Sequence, residues 1–255
     1  VASIVASDLV AYAAVNMPTD SVSTVGGAID ATIRCDFTQL AANDTIYAKS
    51  TSASDTGNIT VIGRNAGGTV VSQTAAIGGT TGINLATLGT VERVLSAVMA
   101  AAAVGTVTVG RGTTGTPGPN VRTIPPGEKG FKAIIQQIAS STSAPVNCYA
   151  KFFWKNTNGA NALLGAQVVE NADPTGLVTH ALETSVGGSN TAANRVTAPG
   201  TVTAFGNVAV TLAAATGTAD LASGSAIGVW LLLALATNNA AIRSTYTSEI
   251  DGSTT

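Results

Sequence analysis

The chain has 255 residues with only 10% charged and a formal net charge of −2. An average globular protein carries roughly 25% charged residues, and twelve Lys and Arg against fourteen Asp and Glu leave no electrostatic footprint for a nucleic-acid partner. Hydrophobic residues at 45% exclude a disordered chain, while 28 glycines among abundant Val and Thr point to short strands joined by tight turns.

In chain order, residues 1–30 read as a flexible N-terminal arm. Leu9, Ala11 and Ala13 suit a short strand, but Met17-Pro18 and Gly26-Gly27 interrupt the pattern. Val1 to Val5 lack the basic and apolar runs of a signal peptide. Alternation resumes after Ala28, with Ile33, Cys35 and Phe37 on one face. Asn58 to Ile62, then Asn65-Ala66-Gly67-Gly68, then Thr69 to Thr74 predict a hairpin with Ile59 and Val61 facing inward. Val91–Val98 and Thr106–Val109 predict two more strands, and the alanine-rich 97–104 stretch suits a helical turn or two. Residues 31–112 are thus expected to form a first β domain.

Gly112, Gly115, Gly118 and Pro117, Pro119, Pro125 and Pro126 crowd the next segment, so 113–126 is expected to be a linker. A second β domain is expected over 127–255. Residues 131–138 fit either strand or short helix. Val146–Lys155 is the clearest strand, with Val146, Cys148, Ala150, Phe152 and Trp154 on one face and Asn147, Tyr149, Lys151, Phe153 and Lys155 on the other. Asn156 to Gly159 predicts a turn, with a return strand near Ala166–Val169. Further strand candidates are 179–184, 202–205 and 208–212. Ile227–Ala236 is apolar on both faces, as a strand buried on two sides would be, and is far too short to span a bilayer. The expected class is all-β, with two β-sandwich or barrel-like domains and the arm. Trp154 and Trp230 are assigned to the core of the second domain.

No segment carries a recognisable reaction centre. Gly110-Arg111-Gly112-Thr113-Thr114-Gly115 matches the dinucleotide spacing G-x-G-x-x-G, but Thr116-Pro117-Gly118-Pro119 is unfit to open the helix that must hold the pyrophosphate. Thr116 also stands where a P-loop needs lysine. His180, the only histidine, has no nucleophile motif near it and reads as an ordinary strand or loop residue. Cys35 and Cys148 have neither disulfide nor metal-ligand spacing. Tyr149, Lys151, Phe153 and Lys155 interleave aromatic and basic groups, which is the pattern of a stacking surface for single strands. In a slightly acidic chain the better reading is a packed or partner-facing surface with lysines reaching out at its edge. No catalytic residue, cofactor or metal is expected.

Asn16-Met17-Pro18, Gly26-Gly27-Ala28-Ile29-Asp30, Gly63-Arg64-Asn65-Ala66-Gly67 and Ile124-Pro125-Pro126-Gly127 resemble segments of tailed-bacteriophage virion structural proteins. The resemblance continues in Val168-Val169-Glu170-Asn171-Ala172-Asp173-Pro174, Asn194 to Pro199 and Ala226 to Trp230. It implies a non-enzymatic capsid cement or decoration protein on the outside of the head, partnered by the major capsid protein and by its own copies as a dimer or trimer. Charge balance and the short apolar run lead us to expect neither nucleic acid nor membrane as partner, and the resemblance implies a virion location after assembly in the host cytoplasm. Low charge suits contacts that depend weakly on salt. A tail or other virion component, or a carbohydrate-binding or adhesive domain, is the alternative. Leu9, Tyr12 and Met17 of the arm, with Tyr149 and Phe153, are the expected interface residues. No site residue follows from the resemblance itself.

Overall fold

The computed structural model describes residues 3–254 except 137 and 241–245. Its strands are β1 (Leu9–Asn16), β2 (Val25–Arg34), β3 (Ile46–Ser50), β4 (Asn58–Arg64), β5 (Val70–Ala76), β6 (Ile83–Asn84), β7 (Arg93–Met99), β8 (Val107–Gly112) and β9 (Pro117–Ile124). After β10 (Gly130–Lys132) come β11 (Val146–Asn156), β12 (Leu164–Ala172), β13 (Val178–Val186), β14 (Thr191–Ala192), β15 (Val210–Thr211), the short helix α1 (Leu212–Thr216), β16 (Ala226–Leu235) and β17 (Thr247–Ser253). The fold is all-β. No helix among the described residues is long and apolar enough to cross a membrane.

The chain divides into two compact units. Ala31–Ala133 forms an inserted unit, and Val1–Asp30 with Ile134–Thr255 forms a split unit. β2 crosses the sequence boundary, giving its first residues to the split unit and its last four to the inserted one.

The inserted unit is β-sandwich-like. One layer runs β10-β7-β4-β5 and the other β6-β3-β8-β9. Their inward residues form one core containing Ile59 and Val61 of β4, Val94 and Ala97 of β7, Ile46 of β3, Val107 and Val109 of β8, and Phe131 of β10. Period-two alternation explains most of this, because each strand turns every second side chain toward the opposite layer; in β7 a register shift between Ser96 and Val94 brings Val94 to the same core as Ala97. The β4–β5 hairpin forms as expected, closed by the Gly68 N–H donating to the Asn65 carbonyl at 2.9 Å. Gly68 has φ +81°, a backbone that glycine adopts without steric cost.

Four expectations need correction here. The segment 113–126 is no linker: β9 occupies most of it and pairs with β8. Pro117 and Pro119 are tolerated because β9 ends its sheet, where a missing N–H breaks no ladder. The divisions in fact fall at 30/31 and 133/134, so the expected domains 31–112 and 127–255 do not hold as drawn. The alanine-rich stretch starts inside β7 rather than in a helix, since Val94, Ala97 and Met99 are needed in the core. Within 131–138 the chain continues β10 to Lys132; Gln137 lies outside the described residues.

The fourth correction concerns residues 1–30. They are not an arm but a structural part of the split unit. β1 pairs antiparallel with β11 from Leu9↔Asn156 to Ala13↔Phe152, and Val10 to Ala14 are buried. In this unit the order is β13-β16-β11-β1-β2, with β14 added on β2, and a second sheet runs β15-β12-β17. β12 therefore does not return beside β11 after the Asn156–Gly159 turn but belongs to the other sheet. β16 is buried over its first six residues, as its two-sided apolar pattern predicts. Residues 202–205 form only a single bridge, Glu183↔Val202, and 208–212 yields the two-residue β15 and the start of α1.

Candidate functional site: a buried lysine–glutamate centre

The densest chemistry in the split unit lies around Lys151. This residue sits on β11 opposite Trp230 of β16, with β13 on the far side of β16. Central strands leave no solvent edge through which its stem can reach water. The ammonium instead meets Glu183 of β13, Nζ to Oε1 2.6 Å, with both side chains fully buried. Nζ also donates to the carbonyls of Gly27 at 2.6 Å, Gly188 at 3.2 Å and Asn190 at 3.3 Å. The Phe153 ring centroid is 4.5 Å away and that of Trp230 5.8 Å, so two aromatic faces add cation–π attraction. Glu183 Oε1 accepts further from the Asn190 N–H at 3.1 Å and from Trp230 Nε1 at 3.5 Å.

Glycines make room for this centre. A Cβ on Gly228 would stand 2.5 Å from Glu183 Oε2, as would one on Gly188. Gly26, at φ +92°, lets the chain pass against the Trp230 ring, where a Cβ would lie 2.7 Å from ring carbons. Burial pulls the Lys151 pKa down, and the hydrogen bond and charge of Glu183 oppose it. With its protons shared among a carboxylate and three carbonyls, the ammonium is saturated. What this arrangement does chemically is tie β2, β11, β13 and the 188–190 segment together through one charge.

His180, also on β13, is fully buried. Neither ring nitrogen makes a hydrogen bond of normal geometry. Burial pushes its pKa down, with the Val168 backbone acting in the opposite sense. No His, Cys, Asp and Glu side chains gather in a metal-holding group among the described residues. Both thiols are free; burial raises each one's pKa.

The inserted unit carries a shallow surface recess lined by Tyr47, Lys49, Thr108, Thr114 and Pro117 among others. Of the glycine motif only Thr114 lines it. Gly110 and Gly112 belong to β8, and Thr113 and Thr116 exchange backbone hydrogen bonds in the turn leading to β9. The glycines there serve the strands: Gly110 passes the Tyr47 ring, where a Cβ would stand 2.6 Å away.

The expected interface residues are largely consumed inside the split unit. Tyr12 and Tyr149 are 6% and 7% exposed and Phe153 not at all, so none offers an anchor at the surface. Tyr149 packs with Val25, Ala192 and Trp230, and lies 5.6 Å from the Phe205 ring. Phe153 packs with Ala14 and Ala226, and the partly buried Met17 covers that cluster. Leu9 is half-buried at the start of β1. The expected edge-reaching role of Lys151 is likewise corrected, because β11 is flanked by strands on both sides. Trp230 is in the core as expected, whereas Trp154 is only half-buried. Glu183, Gly188 and Asn190 escape sequence reasoning. The only signal for them is a glycine, Gly228, inside an otherwise large-residue strand, the usual mark of a close approach.

Comparison with protein-family models, with curated proteins and with solved structures finds no match to this chain.

Proposed function

We propose that this protein is a non-enzymatic virion structural protein, a capsid cement that binds the outside of a tailed-phage head and stabilises it. The sequence resemblance motivates the reading, and one structural observation supports it best. Lys151 and Glu183 of the split unit form an internal brace closed to solvent. Such a centre contributes rigidity, which a clamp needs. Surface charge is sparse, so attachment rests on shape and apolar contact more than on salt-sensitive attraction. Bound to a shell, the protein raises the free energy of separating capsomers by mass action on the intact state.

Adding the purified chain back to phage heads stripped of their outer proteins tests this. Saturable binding and a higher disruption temperature of the shell are expected, both persisting in elevated salt. Heads that neither bind the chain nor gain stability overturn the reading.

A further inference from the structure

Among the described residues six strands end a sheet's order, β5, β6, β9, β13, β15 and β17, and the two-residue β14 is added on β2 outside that order. An end strand offers a row of unpaired N–H and C=O groups, and soluble chains blunt such rows with charge, proline, irregular register or cover. Five of the six are blunted. β6 and β15 have two residues each. β9 carries Pro117, Pro119 and Arg122 and two register shifts. β13 is bridged by Gly206 and Val202. β17 carries Glu249 and Asp251.

β5 has none of these devices. It is seven residues long, holds an unbroken register with β4, and contains neither charge nor proline. Its exposed side chains alternate regularly: Val70, Ser72, Thr74 and Ala76 face outward, while Val71 and Ala75 lean on the core. The sequence Val-Val-Ser-Gln-Thr-Ala-Ala is also chemically palindromic about Gln73.

We propose that the β5 edge is the contact through which a second copy of this chain adds, antiparallel, about a two-fold axis at Gln73. In that register Val70 meets Ala76, Val71 meets Ala75, and Ser72 meets Thr74, so apolar faces apolar and hydroxyl faces hydroxyl. No like charges are opposed, because the edge has no charge. A two-fold contact requires such self-complementarity, and a foreign strand has no reason to match it. Gln73 does not obstruct the axis, since its side-chain carbonyl already accepts from the Leu88 N–H at 2.8 Å. The two ladders join through backbone hydrogen bonds, with opposed side chains adding the usual cross-strand terms. The proposal gives the cement reading its self-contact and rests on that reading only for its setting.

Sedimentation equilibrium of the full-length chain tests it. The wild type is expected to reach twice the 25.1 kDa of one chain as concentration rises. Ser72→Lys with Thr74→Lys opposes lysines across the axis and is expected to stay monomeric while still unfolding cooperatively, its midpoint lowered by the lost dimer and by the lost Thr60–Thr74 hydroxyl contact of 2.8 Å. Ser72→Lys with Thr74→Glu opposes lysine to glutamate and is expected to dimerise again. A monomeric wild type, or a Lys/Lys variant that still dimerises, overturns the proposal; a Lys/Glu variant that stays monomeric overturns the register. Hydrogen exchange of the wild type needs no variant: amides of β5 are expected to slow with concentration, and invariance overturns the contact. Shell binding is read separately, so a monomeric chain that still coats stripped heads sinks the edge contact alone, and a dimer that ignores them sinks the cement reading alone.

Discussion

Lys151 shows how one side chain organises a strand-rich unit. A charge in the interior is costly unless paired and hydrogen-bonded, and here four oxygens from three other segments surround one ammonium. Removing a single partner is worse than never having had the pair, because the remaining charge is stranded. Lys151→Ala is therefore expected to lower unfolding free energy by about 3–5 kcal/mol, the range for breaking a buried ion pair. Glu183→Gln leaves the lysine its three carbonyls and is expected to cost less. Denaturant titration of both variants checks the order. A Lys151→Ala protein as stable as wild type would show that the centre does not brace the unit.

At the scale of elements, β1 carries the largest difference between expectation and structure. Its apolar run looks short beside Met17-Pro18 and Gly26-Gly27, yet it fills the position beside β11, whose partner residues lie more than a hundred positions on. Gly26 and Gly27 break no element: at φ +92° and +93° they carry β2 past the Trp230 ring and offer a carbonyl to Lys151. Deleting residues 1–20 strips β11 of that neighbour and exposes Phe152 and Phe153, both buried in the intact chain. The expected result is loss of cooperative unfolding in the split unit, seen as aromatic near-ultraviolet signal that disappears. A truncated chain with native spectra would return residues 1–20 to the status of an arm.

For the molecule as a whole, continuity of sequence decides what can stand alone. The inserted unit is one uninterrupted segment with its own core from Leu40 to Phe131. It also has internal ion pairs, such as Arg34–Glu128 at 2.7 Å. The split unit needs two segments far apart in the chain. A fragment of residues 31–133 is expected to fold by itself and unfold cooperatively, because every member of that core lies inside it. Circular dichroism and a single sigmoidal denaturation would demonstrate it; a fragment without cooperative unfolding would mean that the core depends on the rest of the chain.

Local pattern determined much of this by itself. The all-β class, the β4–β5 hairpin, the alternation of β11 and the two-sided burial of β16 are legible because strand periodicity and turn glycines act over fewer than a dozen residues. So is the lack of a helix after the glycine motif, where strand β9 starts at Pro117. Tertiary structure alone decided the rest. Whether Pro117 interrupts a chain or sits on a sheet edge depends on which strand lies beside it, and whether Lys151 reaches water depends on β1 and β16 flanking β11. Pairings between residues a hundred positions apart leave no trace in spacing. Burial of Tyr12, Tyr149 and Phe153 follows from those pairings, and a side chain's composition cannot tell an exposed anchor from a buried one.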